Sequence, residues 1–244
     1  MLNNKQADRE VRLPLRSEMT PRLLTAASMV RKGAVVADVG TDHAYLPIYL
    51  VSAGVARRAV ASDINQGPLS RAEANIQRFS LSSQISTRLT PGLAGIEEYA
   101  PTDILICGMG GELIASILEA AEFVRDPEIR LILQPMTSSR ELRLWLSANG
   151  FAITEERLAK EKEKLYVVIA ATYTGEPYTM SVEDSYIGFG DGELLPEWIA
   201  KQLGGLQKQA DGLAKAGRED GALCALIASL TARLKDAERS SHDS

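Results

Sequence analysis

Two cysteines, two histidines and 5% aromatic residues in 244 leave this chain little material for several kinds of chemistry. Cys107 sits in an apolar run and Cys224 in a helical pattern; neither belongs to a C-x-x-C or Cys/His cluster, so both read as reduced thiols. With only His43 and His242 in the chain, the latter in a polar tail, the sequence argues against a histidine-based metal site, and no metal is expected. No stretch approaches the roughly 18 uninterrupted apolar residues of a membrane helix. Residues 1–16 are polar and lack the apolar core of an export signal, which points to the cytoplasm. An excess of positive charge is also missing: the net charge is −5, which argues against a partner bound through phosphates. Its distribution qualifies that. Residues 1–33 carry seven basic side chains against three acidic ones, a local surplus of four, and a basic arm beside an acidic body is compatible with RNA binding.

What is present is 45% apolar and 24% charged, the balance of a soluble globular protein with one main domain and length left for an appendage. Thr20-Pro21 opens a helix, with a hydroxyl at the N-cap and proline where no amide proton is needed, and Gly33 ends it. Short β-branched runs then alternate with helical patterns: strands at 35–39, 59–62, 85–89, 103–107 and 131–133, helices at 46–53, 68–79, 112–121 and 139–148. That rhythm predicts an α/β fold with a parallel, doubly wound, Rossmann-like sheet. Beyond Asn149-Gly150 it changes. Two strand-like runs, 151–158 and 165–173, flank a charged turn too short for a helix, so they should pair as an antiparallel hairpin. Such a hairpin is usual in methyltransferases and unusual in dinucleotide dehydrogenases. After residue 175 two apolar stripes, Leu194 to Leu206 and Leu223 to Leu234, predict a helical hairpin broken near Gly212 and Gly217.

In an open α/β sheet, ligands lie beyond the carboxyl ends of the strands. The first strand ends in Asp38-Val39-Gly40-Thr41-Asp42-His43-Ala44-Tyr45. A pyrophosphate-binding loop needs G-x-G-x-x-G, and this one has a single glycine, which disfavours a nicotinamide dinucleotide. S-Adenosylmethionine carries no phosphate, and its ammonium suits Asp38 and Asp42. Asp63, 25 residues after Asp38 and ending the second strand, can accept both ribose hydroxyls. The fourth strand runs into Cys107-Gly108-Met109-Gly110-Gly111, where one glycine would make a tight turn and three suggest that a ligand or base passes close to the backbone. The Asn/Asp-Pro-Pro-Tyr of many amino-group methyltransferases is absent there. Cys107 has no obvious activating base, which leaves a cysteine nucleophile a minor alternative.

On these residues the chain resembles the bacterial tRNA (adenine(22)-N1)-methyltransferases. The matching stretches are Thr20-Pro21-Arg22-Leu23, residues 34–47 with their Asp-His-Ala-Tyr loop, Ala61-Ser62-Asp63-Ile64-Asn65, Ile106-Cys107-Gly108-Met109-Gly110-Gly111 and Leu133-Gln134-Pro135. The resemblance implies a Rossmann-like domain with a coiled-coil-like carboxyl-terminal element, S-adenosyl-L-methionine as cofactor, and tRNA, in its D-arm region, as partner. It places Asp38, Gly40, Thr41, Asp42, His43, Asp63, Ile64, Gly92 and Cys107 around the cofactor, and Gly108, Met109, Gly110, Arg22 and His43 around the target base. Arg22 is the leading candidate for a phosphate or pocket contact, and Tyr45 a possible pocket wall. One departure stands out: where the family shows Gly-Asp-Gly or Gly-Asn-Gly after the third strand, this chain has Thr90-Pro91-Gly92, so a backbone group must replace the contact to the cofactor's adenine or affinity is weaker.

The expected layout is a basic arm over 1–19, the methyltransferase domain over 20–175, a helical hairpin over 176–239 and a disordered tail over 240–244, in a monomer or weak dimer. Two other readings remain open. One is an S-adenosylmethionine-dependent enzyme acting on another substrate; the other is an inactive RNA-binding relative.

Overall fold

A computed structural model describes residues 18–242, with side chains through residue 239. The expected basic arm therefore lies outside the described residues apart from its last two positions, and so do residues 243–244. The chain forms a seven-stranded sheet in the order β3-β2-β1-β4-β5-β7-β6, where β1 is Ala34–Val39, β2 Ala56–Asp63, β3 Ile85–Leu89, β4 Asp103–Gly110, β5 Arg130–Thr137, β6 Phe151–Glu161 and β7 Lys164–Tyr173. It divides into two compact units, Met1–Leu105 and Ile106–Ser244.

In the first unit every residue of β1 is buried, as a central parallel strand covered on both faces requires. It pairs parallel with β2, and β2 parallel with β3, in a register that sets Val39 opposite Ser62 and Asp63 opposite Leu89. Helices α1 (Pro21–Ser28), α2 (Tyr45–Ser52) and α3 (Gln66–Arg78) supply the covering layers. Proline opens α1 as expected, but the Thr20 hydroxyl makes no capping hydrogen bond, and Gly33 takes the positive φ of +80° that turns the chain into β1.

In the second unit α4 (Gly111–Glu119) and α5 (Ser139–Ala148) follow β4 and β5. The β6–β7 hairpin is antiparallel and longer than the sequence suggested: Glu161 pairs with Lys164, and only Lys162-Glu163 turn the chain, with Lys162 at φ +55°. Next comes a short helix, α6 (Val182–Ile187), capped by Ser181 Oγ, which accepts from the Asp184 amide. Then α7 (Leu195–Lys215) and α8 (Gly221–His242) pack against each other. Trp198, Ile199, Leu203 and Leu206 of the first stripe are buried, and Leu223 and Leu230 of the second. The break falls between residues 216 and 220; Gly212 is helical, whereas Gly217 has φ +68°. The tail expected from residue 240 begins as helix, since α8 continues to His242.

A buried ion pair ties α5 and β6 to the segment that leads into α7. Arg143 and Glu156 are both fully buried and joined at 2.7 and 3.1 Å. The guanidinium also donates to the Ser185 carbonyl, and Glu156 accepts from the Phe189 amide. Removing either partner would leave the other charge buried and alone, which typically costs about 3–5 kcal/mol.

Candidate functional site

The candidates in the first unit gather where β1 and β2 end. The amides of Gly40 and Thr41 both donate to the Ser62 carbonyl, at 2.8 and 2.9 Å, so the loop after β1 is pinned to the last residues of β2. Gly40 has φ +79°, which lets the chain fold back there at no steric cost. Thr41 is buried, and its hydroxyl accepts from the Ala44 amide at 3.1 Å. Ala44, at a place where many nucleotide-binding loops carry glycine, takes the left-handed conformation at φ +55° and starts α2.

The loop's two carboxylates differ in character. Asp38 is buried, and that burial pushes its carboxyl up to about 6; a hydrogen bond from Thr41 pulls the other way, and the nearby Asp63 charge adds to the rise. Such a group is poised to gain from a cation. Asp42 is exposed, and Arg71 already holds it below the ordinary carboxylate range through a hydrogen bond. His43 Nε2 lies 3.4 Å from the same carboxylate, and the His43 ring stacks on Tyr45 with centroids 5.0 Å apart. Of the two acids read from the sequence as partners for an ammonium, only Asp38 lacks a cationic partner within the described protein.

Asp63 Oδ1 accepts from the Asn65 amide at 2.7 Å, which orients the carboxylate and leaves Oδ2 without a protein partner among the described residues. Ile64 beside it is 66% exposed, and Leu89, its strand neighbour's partner, 51%. Two large apolar side chains open to solvent at the ends of adjacent strands offer a face for a flat aromatic ligand. The departure at Thr90-Pro91-Gly92 is built in tightly: the Thr90 amide donates to the Asp63 carbonyl and its hydroxyl to Ala94, while Gly92 turns at φ +55°. Arg22 is half-buried on the first turn of α1 and already engaged within the protein.

In the second unit the glycine-rich stretch is not a loop. Strand β4 continues through Cys107, Gly108 and Met109 to Gly110, and α4 starts at the next residue. Gly108 has φ +82° and donates its amide to Gln134 Oε1 at 3.1 Å. Gln134 is fully buried, with its amide group turned back on the Pro135 carbonyl at 3.0 Å. A Cβ on Gly111 would sit 2.2 Å from the Ser138 carbonyl oxygen, and one on Gly110 3.3 Å from Thr137 Oγ1. Close packing on the β5–α5 junction thus accounts for Gly111 and backbone conformation for Gly108, so these two glycines do not by themselves require a passing ligand. Cys107 and Met109 are half-buried, and the Gly108 backbone is exposed.

Sequence reasoning overlooked Arg71, Leu89 and Gln134. Gln134 was within reach, because Leu133-Gln134-Pro135 is one of the matching stretches. Among the described residues there is no cluster of His, Cys, Asp or Glu suited to a metal, and no helix long and apolar enough to cross a membrane.

The family described as "Methyltransferase domain" matches residues 19–169. The tRNA (adenine(22)-N(1))-methyltransferase of Bacillus subtilis is 40% identical over 154 residues, 63% of this chain and 65% of that protein, so the aligned stretch spans just under two thirds of the relative's length. Among solved structures, the B. subtilis M1A22 tRNA methyltransferase TrmK superposes with a TM-score of 0.73 at 30% identity, over 90% of this chain and 97% of its own. A Streptococcus pneumoniae protein solved in complex with S-adenosyl-L-methionine gives 0.73 at 35%, over 88% and 99%.

Proposed function

The chain belongs to the bacterial tRNA (adenine(22)-N1)-methyltransferase family, and from that premise we propose that it transfers a methyl group from S-adenosyl-L-methionine to N1 of adenine 22, in the D-arm region of tRNA. A cytoplasmic location belongs to the same reading. The observation that carries it is the pairing of a buried, charge-seeking Asp38 with an oriented Asp63 at the ends of β1 and β2.

The residues present fit this cofactor. Asp38 takes the ammonium, the Gly40–Thr41 backbone closes over the amino-acid end, and Asp63 takes the ribose hydroxyls. Ile64 and Leu89 supply an apolar face for the adenine. The Pro91–Gly92 backbone, held to β2 by Thr90, stands in for the missing acidic or amide side chain. The sulfonium supplies an electrophilic methyl.

Neutral adenine needs no general base to react at N1, since that nitrogen carries an in-plane lone pair. With the cofactor bound, the lone pair would form the new N–C bond while the S–C bonding pair stayed on sulfur, and the positive charge would pass to the methylated base, which can then lose a proton from its exocyclic amine. What the protein must provide is orientation, which can contribute on the order of several kcal/mol. The Gly108–Gly110 end of β4, fixed by Gln134, is assigned to the target base, with Met109 as an apolar contact. Because N1 lies on the pairing edge, the base must be unpaired or extruded. His43 and Arg22 remain candidates for contacts to the base and to phosphate.

Incubating the protein with labelled cofactor and bulk tRNA, then digesting to nucleosides, tests the reading. The expected product is 1-methyladenosine mapping to position 22; its absence would sink the proposal.

A further inference from the structure

Beside the end of β4, within the second unit, lies a small groove of about 170 Å³. Thr137, Ser138 and Ser139 form one wall, Tyr166 lies on β7, and Lys201 and Gln202 come from α7. It adjoins the glycine stretch directly, since Thr137 and Ser138 are the residues that a Cβ on Gly110 or Gly111 would meet.

Its chemistry separates it from the other cavities described. The one between β6 and the Phe189–Asp191 segment carries Glu155, Glu156 and Asp191, and the one near Arg58 carries Glu98. This groove has one cation and no carboxylate. The Lys201 ammonium is held in place: it donates to the Leu165 carbonyl at 2.9 Å and lies 4.8 Å from the centre of the Trp198 ring. One of its three N–H groups is thus used, and two have no acceptor among the described residues. The hydroxyls of Thr137, Ser138 and Ser139 have no hydrogen-bond partner there either, and Ser138 does not cap α5 although it is the N-cap residue. Its φ of +54° is an uncommon conformation for serine, of the kind that concentrates at ligand sites. Burial also lowers the Lys201 pKa, and a bound anion would counter that.

We infer that this groove holds the RNA nucleotide next to the target base, its phosphate on Lys201 and its remaining polar groups on the Thr137–Ser139 hydroxyls. The inference rests on the reading of the chain as an RNA methyltransferase. It makes Lys201 and Gln202 substrate-positioning residues, contributed by the helical region.

The test is steady-state methylation of tRNA by Lys201→Ala, Lys201→Arg and Gln202→Glu, with cofactor affinity measured by calorimetry on the same proteins. Lys201→Ala should raise KM for tRNA about tenfold, leave kcat and cofactor affinity within about twofold, and reduce the salt slope of kcat/KM by about one. Lys201→Arg should recover most of the loss. Gln202→Glu, which adds a charge on α7 without removing the Leu165 contact, should raise KM several-fold and decides the matter if Lys201→Ala fails to fold. Unchanged KM and salt slope in both Lys201→Ala and Gln202→Glu would overturn the inference while leaving the enzyme assignment intact. A wild-type protein that binds cofactor but methylates no RNA would overturn the assignment, and this inference with it.

Discussion

In the loop after β1 the groups offered to a ligand are carboxylates, and most of the local structure serves to set their charge. Asp38 is buried until its carboxyl titrates near 6, Asp42 is neutralised at the surface by Arg71, and Asp63 is aimed by the Asn65 amide. At the end of β4 the offered groups are backbone and a thioether, and the local structure serves to set shape: Gln134 holds Gly108, and Ser138 leaves no room for a side chain on Gly111. A region built on charge suits a cationic, hydroxyl-bearing cofactor and responds to pH. One built on shape suits a flat neutral base and responds to volume. If the proposed division is right, substitutions in the two regions should fail in different ways.

The largest effect is expected at Asp63. On the proposed function its carboxylate accepts hydrogen bonds from ribose, and bonds to a charged group are worth about 1.5–3 kcal/mol each. Asp63→Ala should therefore weaken S-adenosylmethionine binding by at least about 100-fold in calorimetry, with a melting temperature close to wild type. Cofactor affinity within a few-fold of wild type would remove Asp63 from the site and leave the charge-built region with one acid, Asp38, that no cation already holds.

Asp38 ranks next, and its signature is pH. Its folded carboxyl lies near 6, above the ordinary 3.8, so ionising it costs the folded state. The penalty is absent below about 3.8, grows as pH rises to about 6, and is full above that; two units correspond to about 3 kcal/mol, as an order of magnitude. An ammonium ligand needs the ionised form, so cofactor affinity should be constant above pH 7 and about tenfold weaker at pH 5. Asp38→Asn should bind weakly at every pH, lose that dependence, and melt higher than wild type at pH 8. A wild-type affinity flat between pH 5 and 8 would show that Asp38 does not meet the ammonium.

The two regions also differ in how far they could be read before the structure. The charge-built one was largely legible, because Asp38, Gly40 and Asp63 sit at strand ends whose β-branched runs are unambiguous; β3 was located to the residue for the same reason. What escaped there was the partner of Asp42, since Arg71 lies 29 residues away on the exposed side of α3 and nothing local marks the pair. The shape-built region misled. Cys107-Gly108-Met109-Gly110-Gly111 reads as a loop by glycine content, yet the strand continues through it, because Gln134 on β5 satisfies the Gly108 amide from 26 residues further on. A glutamine inside an apolar run carries no local sign of such a task; only its place in a matching stretch marked it. The buried Arg143–Glu156 pair and the short helix α6 were likewise invisible, since both depend on contacts that bring distant segments together. Periodicity located α5 to the residue, but it overestimated the hairpin turn, where alternation fades among Lys160, Glu161, Lys162 and Glu163 while the backbone pairing persists.

Gly111 offers the smallest effect and the sharpest test of the contrast. In Gly111→Ala the added methyl meets the Ser138 carbonyl, a backbone atom that a rotamer change cannot move aside. Overpacking of this kind costs about 1–3 kcal/mol, which for a chain of this size corresponds to a fall in melting temperature on the order of 5 °C. Calorimetric affinity for S-adenosylmethionine should hardly change, because the displaced groups belong to α4 and α5 rather than to the carboxylates at the ends of β1 and β2. The reverse outcome, an unshifted melting temperature with cofactor affinity lost, would mean that Gly111 is kept free of a side chain for the ligand rather than for Ser138. The division between a charge-built and a shape-built region would then fail, since the β4 turn would be serving the cofactor as well.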